Sequence, residues 1–270
     1  MLDRIRISWL VALLAFVFLL APFIVVVGAS FDGRTSYFAQ FPPQQLTLDW
    51  YTRIPPAYWR ALLTSFLVAC TVSVLATLIG LTASLGIVRS GIAGTQALQA
   101  FFRLPLQIPL VVSGAVFLEF YFKVAAVLGI ELLYTFRGLV IAHLFVAIPY
   151  SVGAISSVLV RFDTRLEEAA YSLGASGWSA FRRVTLPAVR SGLVISIFYS
   201  FIVSFGDVPI SLFLVNNEIS TLPVRLFYDM QFDFHPTVMA ISSLILGFSF
   251  VLVLTVQRAS GMNLAAASGK

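Results

Sequence analysis

Four stretches of this chain, residues 7–29, 61–88, 138–160 and 236–256, contain no Asp, Glu, Lys or Arg. A helix rises about 1.5 Å per residue, so about 20 apolar residues cross about 30 Å of hydrocarbon. Each stretch is long enough to do so alone. Two further runs carry one acid each: 104–122 holds Glu119, and 191–215 holds Asp207. A backbone inside lipid must satisfy its own hydrogen bonds, which a helix does within one segment. The six runs therefore predict an all-α polytopic membrane bundle, organised as one transmembrane domain over residues 1–270. Composition excludes the soluble class: only 11% of residues are charged, against about a quarter in soluble domains.

The first run ends in the small residues of "VGAS", as a cleaved leader does. Its 23 uncharged residues exceed the 7–15-residue apolar core of a signal peptide, so it is read as a span. The net charge of +5 is spread between apolar runs, which suits loops at a membrane better than a nucleic-acid surface. The one cysteine, Cys70, forms no internal disulfide.

Lys and Arg set the orientation. With the N-terminus inside, Arg4, Arg6, Arg89, Arg103, Arg161, Arg165, Arg182, Arg183, Arg190, Arg258 and Lys270 face the cytoplasm. Arg34, Arg53, Arg60, Lys123, Arg137 and Arg225 face out, a ratio of eleven to six. Both termini and the loop 161–190 are thus expected in the cytoplasm. Within the spans, Ala76, Gly80 and Ser84 recur every four residues, a spacing that lets helix backbones approach closely. Pro22, Pro109 and Pro149 fall inside expected spans, where neighbours re-satisfy the freed carbonyls.

The cytoplasmic loop holds "EEAAYSLGASGWSAFRRVTLP" at 167–187. Thr164 and Glu167 have capping-box spacing. Glu167, Glu168, Ala169, Ala170 and Leu173 favour helix, and Gly174 suits a helix stop. Ser176 can cap a second helix, which Pro187 ends near Leu186. The segment reads as helix, glycine turn, helix. Its small and acidic first half fits a knob for a soluble partner. Its Trp178, Phe181, Arg182 and Arg183 equally fit an amphipathic element on the inner leaflet, as in a membrane-anchored structural or signalling protein.

The residues Glu168-Ala169-Ala170, Gly174, Val184 and Leu186-Pro187 match the loop motif of ABC-importer permeases in order and spacing, with Val184 where that family commonly has Ile. Six spans with the loop after the fourth are similar too. The resemblance implies a permease fold in which this loop is the coupling helix seated on a separate ATPase. It implies two ATP-binding subunits that carry ATP and Mg, a second permease (usually a different chain), a solute-binding protein, and residence in a bacterial inner membrane. No phosphate loop, H-E-x-x-H or G-x-S-x-G occurs, so this chain is expected to be a transport subunit and no enzyme, with no metal site. The two histidines, His143 and His235, are read as packed or interfacial.

Ionisable groups inside a membrane are expensive, which makes Asp207 and Glu119 pathway candidates. Counting along helices from Arg190 and Arg103 puts both toward the outer side, about 25 Å along. Glu119 also has Lys123 and Arg137 within reach. Trp50-Tyr51, "SFGDV" at 204–208, and 221–246 resemble the second permease of spermidine/putrescine importers. That resemblance implies a polyamine solute and a pathway role for Asp207, Glu119, Trp50 and Tyr51. Those permeases often carry an acid after the third-span proline; here Pro109 is followed by Leu110, which keeps an amino-acid-like, opine or aminophosphonate solute in view. The outer segments 30–58 and 216–236 suit docking of the binding protein or rest on the membrane surface. In the latter, Thr221 can cap a helix with Pro223 in its first turn, and Leu222, Leu226, Phe227 and Met230 can form one apolar face.

Overall fold

A computed structural model describes residues 2–34, 41–90, 94–232 and 235–260, without the side chains of 2–8 and 256–260. Arg4, Arg6, Arg258 and Lys270, used above for orientation, thus have no described side chain. In chain order the helices are α1 (Leu2–Ala29), α2 (Asp49–Thr52), α3 (Pro56–Arg89), α4 (Thr95–Arg103), α5 (Leu110–Leu128), α6 (Phe136–Leu159), α7 (Arg165–Ser172), α8 (Gly177–Ala180), α9 (Leu186–Ala188), α10 (Arg190–Phe205), α11 (Leu222–Phe232) and α12 (Thr237–Ser260). Among the described residues the only extended pairing is an isolated bridge between Asp32 and Leu46. Among the described residues, five helices are long and apolar enough to span a membrane, or six if the bent pair around Val189 counts as one.

Two expected spans have different limits. The third run begins as α4 and a 3-10 turn at Leu104–Gln107, and the spanning helix is Leu110–Leu128. Pro109 is the N-cap of α5, outside the helix, because it has no N–H to continue a ladder. Pro22 and Pro149 do lie inside helices. The fifth run is helical only to Phe205; residues 206–215 fold into a turn with a 3-10 segment at Ser211–Phe213.

The chain groups into two compact units, Met1–Tyr58 with Leu226–Leu254, and Trp59–Arg225 with Thr255–Lys270. In the first, Asp49–Thr52 sits under the end of α1: Trp50 Nε1 donates to Asp32 O at 2.7 Å, and its ring meets His235 edge-on at 5.3 Å. Tyr51 Oη lies 2.6 Å from Ser30 Oγ and 2.7 Å from Ser243 Oγ. Arg34 forks onto the Asp32 carboxylate, with Nη2 2.7 Å from Oδ2. That guanidinium holds the Asp32 carboxyl below its ordinary value. Between residues 9 and 27, α1 exposes Leu14, Phe18, Ile24 and their neighbours on all sides, as an apolar cylinder made for lipid does.

The second unit is built on α6. Val68, Val72 and Ala76 of α3, Tyr121 of α5, Leu139 and Val146 of α6, and Ile210 and Leu214 of the turn form its main core. The small residues of α3 sit at the helix contact, as their spacing predicts. Gly80 lies so close to Ser151 that a Cβ there would collide with its hydroxyl. Ser84 Oγ donates to Val152 O at 3.2 Å, and Ser156 Oγ donates to Ser84 Oγ at 3.0 Å. α10 carries the same spacing in Gly192, Ser196, Ser200 and Ser204, all buried. Ser196 Oγ meets Thr77 Oγ1 at 2.8 Å and Ser151 Oγ at 2.6 Å. Hydroxyls bonded across helices cost far less than hydroxyls left alone in hydrocarbon.

Candidate functional site

The loop between α6 and α10 folds as helix, glycine turn, helix. At its start the expected capping box is absent. Thr164 has helical angles and makes no side-chain cap. Instead Asp163 Oδ1 accepts from Arg165 N at 3.0 Å. The reason is that Glu167 points the other way. Its Oε1 pairs with Arg89 Nη2 at 2.9 Å and accepts from the Thr185 hydroxyl. Arg89, the last residue of α3, also lies over the Phe162 ring at 5.5 Å. The Arg89 guanidinium therefore ties α3 to the loop entry and to α7, and Glu167 extends the joint to Thr185. Adjacent helical residues diverge by about 100°, so Glu168 faces away from this joint and is exposed.

Gly174 ends α7 as its position predicts. With φ of +84°, Gly174 N donates to Tyr171 O at 2.9 Å and Ala175 N to Ala170 O at 3.0 Å, which is the Schellman pattern. Ser176 caps the next helix by accepting from Ser179 N at 3.3 Å. Pro187 does not end that helix at Leu186. A π-turn at Phe181–Thr185 carries it on through Pro187, and the 65° bend to α10 follows at Val189. A π-turn relaxes the i−4 ladder that a proline would otherwise break. Ala169 is exposed with Glu168; Ala170, Val184 and Leu186 are half-buried; and Pro187 is exposed. Leu166, Leu173 and Trp178 are 54%, 89% and 70% exposed.

A second cluster lies where α6, α10 and the 206–215 turn meet. Asp207 caps the 3-10 turn: its Oδ2 accepts from Ser211 N and Ser211 Oγ, both at 2.8 Å. Ser211 Oγ then accepts from His143 Nε2 at 2.9 Å, and His143 Nδ1 faces Ser204 Oγ at 2.7 Å. His143 Nε2 is 3.6 Å from Asp207 Oδ2. All four side chains are buried. Since the Ser211 hydroxyl spends its proton on Asp207, the imidazole carries a proton on Nε2. Sequence finds no partner for Asp207 because His143 is 64 positions away on another helix. His143 is packed, as read, and no group of three metal-binding side chains occurs among the described residues.

The remaining candidates are dispersed. Glu119 pairs with Lys123 one turn along α5 at 3.5 Å, with side chains 66% and 71% exposed. Trp50 and Tyr51 are engaged in the first unit, as above, whereas Asp207 and Glu119 belong to the second. At α11 the expected cap is replaced. Thr221 Oγ1 is buried without a partner, and Ser65 Oγ of α3 accepts from Leu222 N at 2.8 Å. The expected apolar face is also split: Leu222 is buried and Leu226 half-buried, while Phe227 and Met230 are 36% and 55% exposed. Two features went unread in the sequence: Arg89, which looked like one more inside-facing charge, and the α10 serine seam, whose four-residue spacing equals that on α3.

Residues 76–261 match the family described as binding-protein-dependent transport system inner membrane component. Among curated proteins, the chain is 28% identical over 250 residues to the spermidine/putrescine transport system permease protein PotC of Haemophilus influenzae, covering 92% of this chain and 94% of that one. It is 28% identical to the putrescine transport system permease protein PotI of Escherichia coli, covering 91% and 88%. It is 29% identical over 215 residues to the sulfate transport system permease protein CysT of Escherichia coli, covering 76% of each. Among solved structures, a bacterial ABC transporter that imports the acidic polysaccharide alginate superimposes with a TM-score of 0.64 at 17% identity, covering 95% of this chain and 96% of that one.

Proposed function

The chain belongs to the inner membrane components of binding-protein-dependent transport systems, the permeases of ABC importers, and from that membership we propose how it is coupled and what it carries. The loop 161–190 docks on a cytoplasmic ATPase, which places both termini in the cytoplasm. Glu168, Ala169 and Ala170 form the contact, Gly174 fixes the angle between the two knob helices, and Val184, Leu186 and Pro187 return the chain to the bundle. The observation that carries this is an exposed apolar knob: Leu173 and Trp178 stand 89% and 70% exposed on a loop that also exposes Glu168. Glu167, in contrast, is held by Arg89. Such a surface suits a protein partner. Two copies of the ATPase supply ATP and Mg, a second permease completes the pathway, and a binding protein delivers the solute. Alternating access then follows from motion of the docked knob. Glu168→Lys or Gly174→Asp should abolish solute-stimulated ATPase in the reconstituted complex while leaving the protein in the membrane. Normal stimulation with either change would sink the assignment.

The solute we propose is a polyamine. Its support is coverage: the relatives named for spermidine and putrescine align with 92% and 91% of the chain, the sulfate relative with 76%. An anionic or amino-acid-like solute is the second reading. It is favoured by the engagement of Asp207 with Ser211 and by Leu110 standing where an acid is common. Uptake assays with putrescine, spermidine, sulfate and an amino acid separate the two.

A further inference from the structure

Between residues 142 and 159 of α6, the exposed positions are Tyr150, Gly153 and Ser157. Spacings of three and four put them on one stripe, which Arg161 continues beyond the helix end. A face toward lipid looks different: α1 exposes Leu, Phe, Val and Ile. A stripe of phenol, glycine and hydroxyl inside a spanning helix belongs beside water. A hollow of about 310 Å³ runs along its lower half, lined by Gln99 and Arg103 of α4 and by Pro149, Gly153, Ser157 and Arg161.

At the upper end, the Tyr150 ring stacks on Tyr199 of α10, with centroids 6.4 Å apart and planes 10° from parallel. The two residues are 38% and 49% exposed. Tyr150 is the fifteenth of the 24 residues of α6 and Tyr199 the tenth of the 16 of α10, so both stand near mid-span. Tyrosines that face lipid gather at the two interfaces, where the hydroxyl is wetted. A mid-span exposed pair is therefore poorly suited to hydrocarbon. It is well suited to a cation, which an aromatic face attracts.

We propose that this stripe lines the aqueous solute path and that Tyr150 and Tyr199 form a contact site for an organic ammonium solute. The proposal rests on the importer reading and supplies the cation attraction that an engaged Asp207 does not. Arg161, roughly 16 Å further along the helix, lies at the end where basic loops collect and is separate from the ring pair.

The test uses the whole importer reconstituted in vesicles, with Cys70→Ala as background. Tyr150→Cys, Gly153→Cys and Ser157→Cys should react with a charged, membrane-impermeant thiol reagent, and putrescine should slow the reaction at 150. Phe18→Cys on α1 should stay unreactive. Tyr150→Ala and Tyr199→Ala should raise the half-saturating putrescine concentration roughly 3- to 30-fold in complexes that still co-purify with the ATPase. Tyr150→Phe, which keeps the ring, should stay close to wild type. Unreactive stripe cysteines, or unchanged half-saturation in both alanine variants, overturn the site while import by the wild type leaves the importer reading standing. Import of sulfate in place of putrescine overturns the ligand class. A wild-type complex that neither imports nor couples ATPase to solute overturns both readings.

Discussion

Two neighbouring glutamates of the loop face opposite ways. Glu167 turns inward to Arg89 and Thr185, and Glu168 turns outward. Helical geometry makes that division legible in outline, since adjacent residues diverge by about 100°. Which of the two finds a partner was not legible, because Arg89 is 78 positions from Glu167. Removing one member of a largely buried pair strands the other. Arg89→Ala should therefore lower stability by about 1–3 kcal/mol, read as an earlier thermal transition in detergent, and Arg89→Lys should recover part of it. At the other compact unit, Arg34 depresses the Asp32 carboxyl. A depressed acid stabilises the folded state above its unfolded value, about 3.9, and the effect fades as pH falls through the lower folded value. Asp32→Asn should thus be less stable than wild type at pH 7, and the gap should close only below about pH 4. A gap independent of pH would rule out the ion pair as its cause.

The spanning helices were legible at the scale of elements wherever apolar length alone decides, as in α3, α6 and α12. Limits were misread where side chains and prolines decide. The apolar run after Phe205 looks continuous, but Asp207 and Ser211 close a turn there. Pro109 starts α5 instead of sitting within it. Helix ends also find distant partners: Ser65 serves α11 where Thr221 looked sufficient. The glycines were read for the right reasons. Gly174 needs its φ of +84°, and a Cβ there meets nothing within 4 Å. Gly174→Ala should thus cost about 1 kcal/mol through the backbone alone and leave the bundle intact by circular dichroism. Gly80 is different, because its space is taken by Ser151. Gly80→Leu should separate α3 from α6 and lose the folded permease, measured as aggregation during gel filtration. A well-folded Gly80→Leu protein would mean that the small-residue seam does not hold these helices.

For the molecule as a whole, the motif at 168–187 and the run of spans point to one machine, and the family match over residues 76–261 agrees. The solute is not legible in the same way. Its recognition depends on which faces meet water, and hydropathy does not distinguish a lipid-facing stripe from a path-facing one. Asp207 illustrates the difficulty: an acid that looks unpartnered in sequence is a turn cap in the fold. Docking of the knob on the ATP-binding subunit can be tested directly by cross-linking. A photoreactive side chain placed at the exposed Ala169, in the assembled complex in native membranes, should cross-link predominantly to the ATP-binding subunit. Cross-linking only to lipid, or to no protein, from a complex that still imports solute would mean that the knob does not dock on the ATPase.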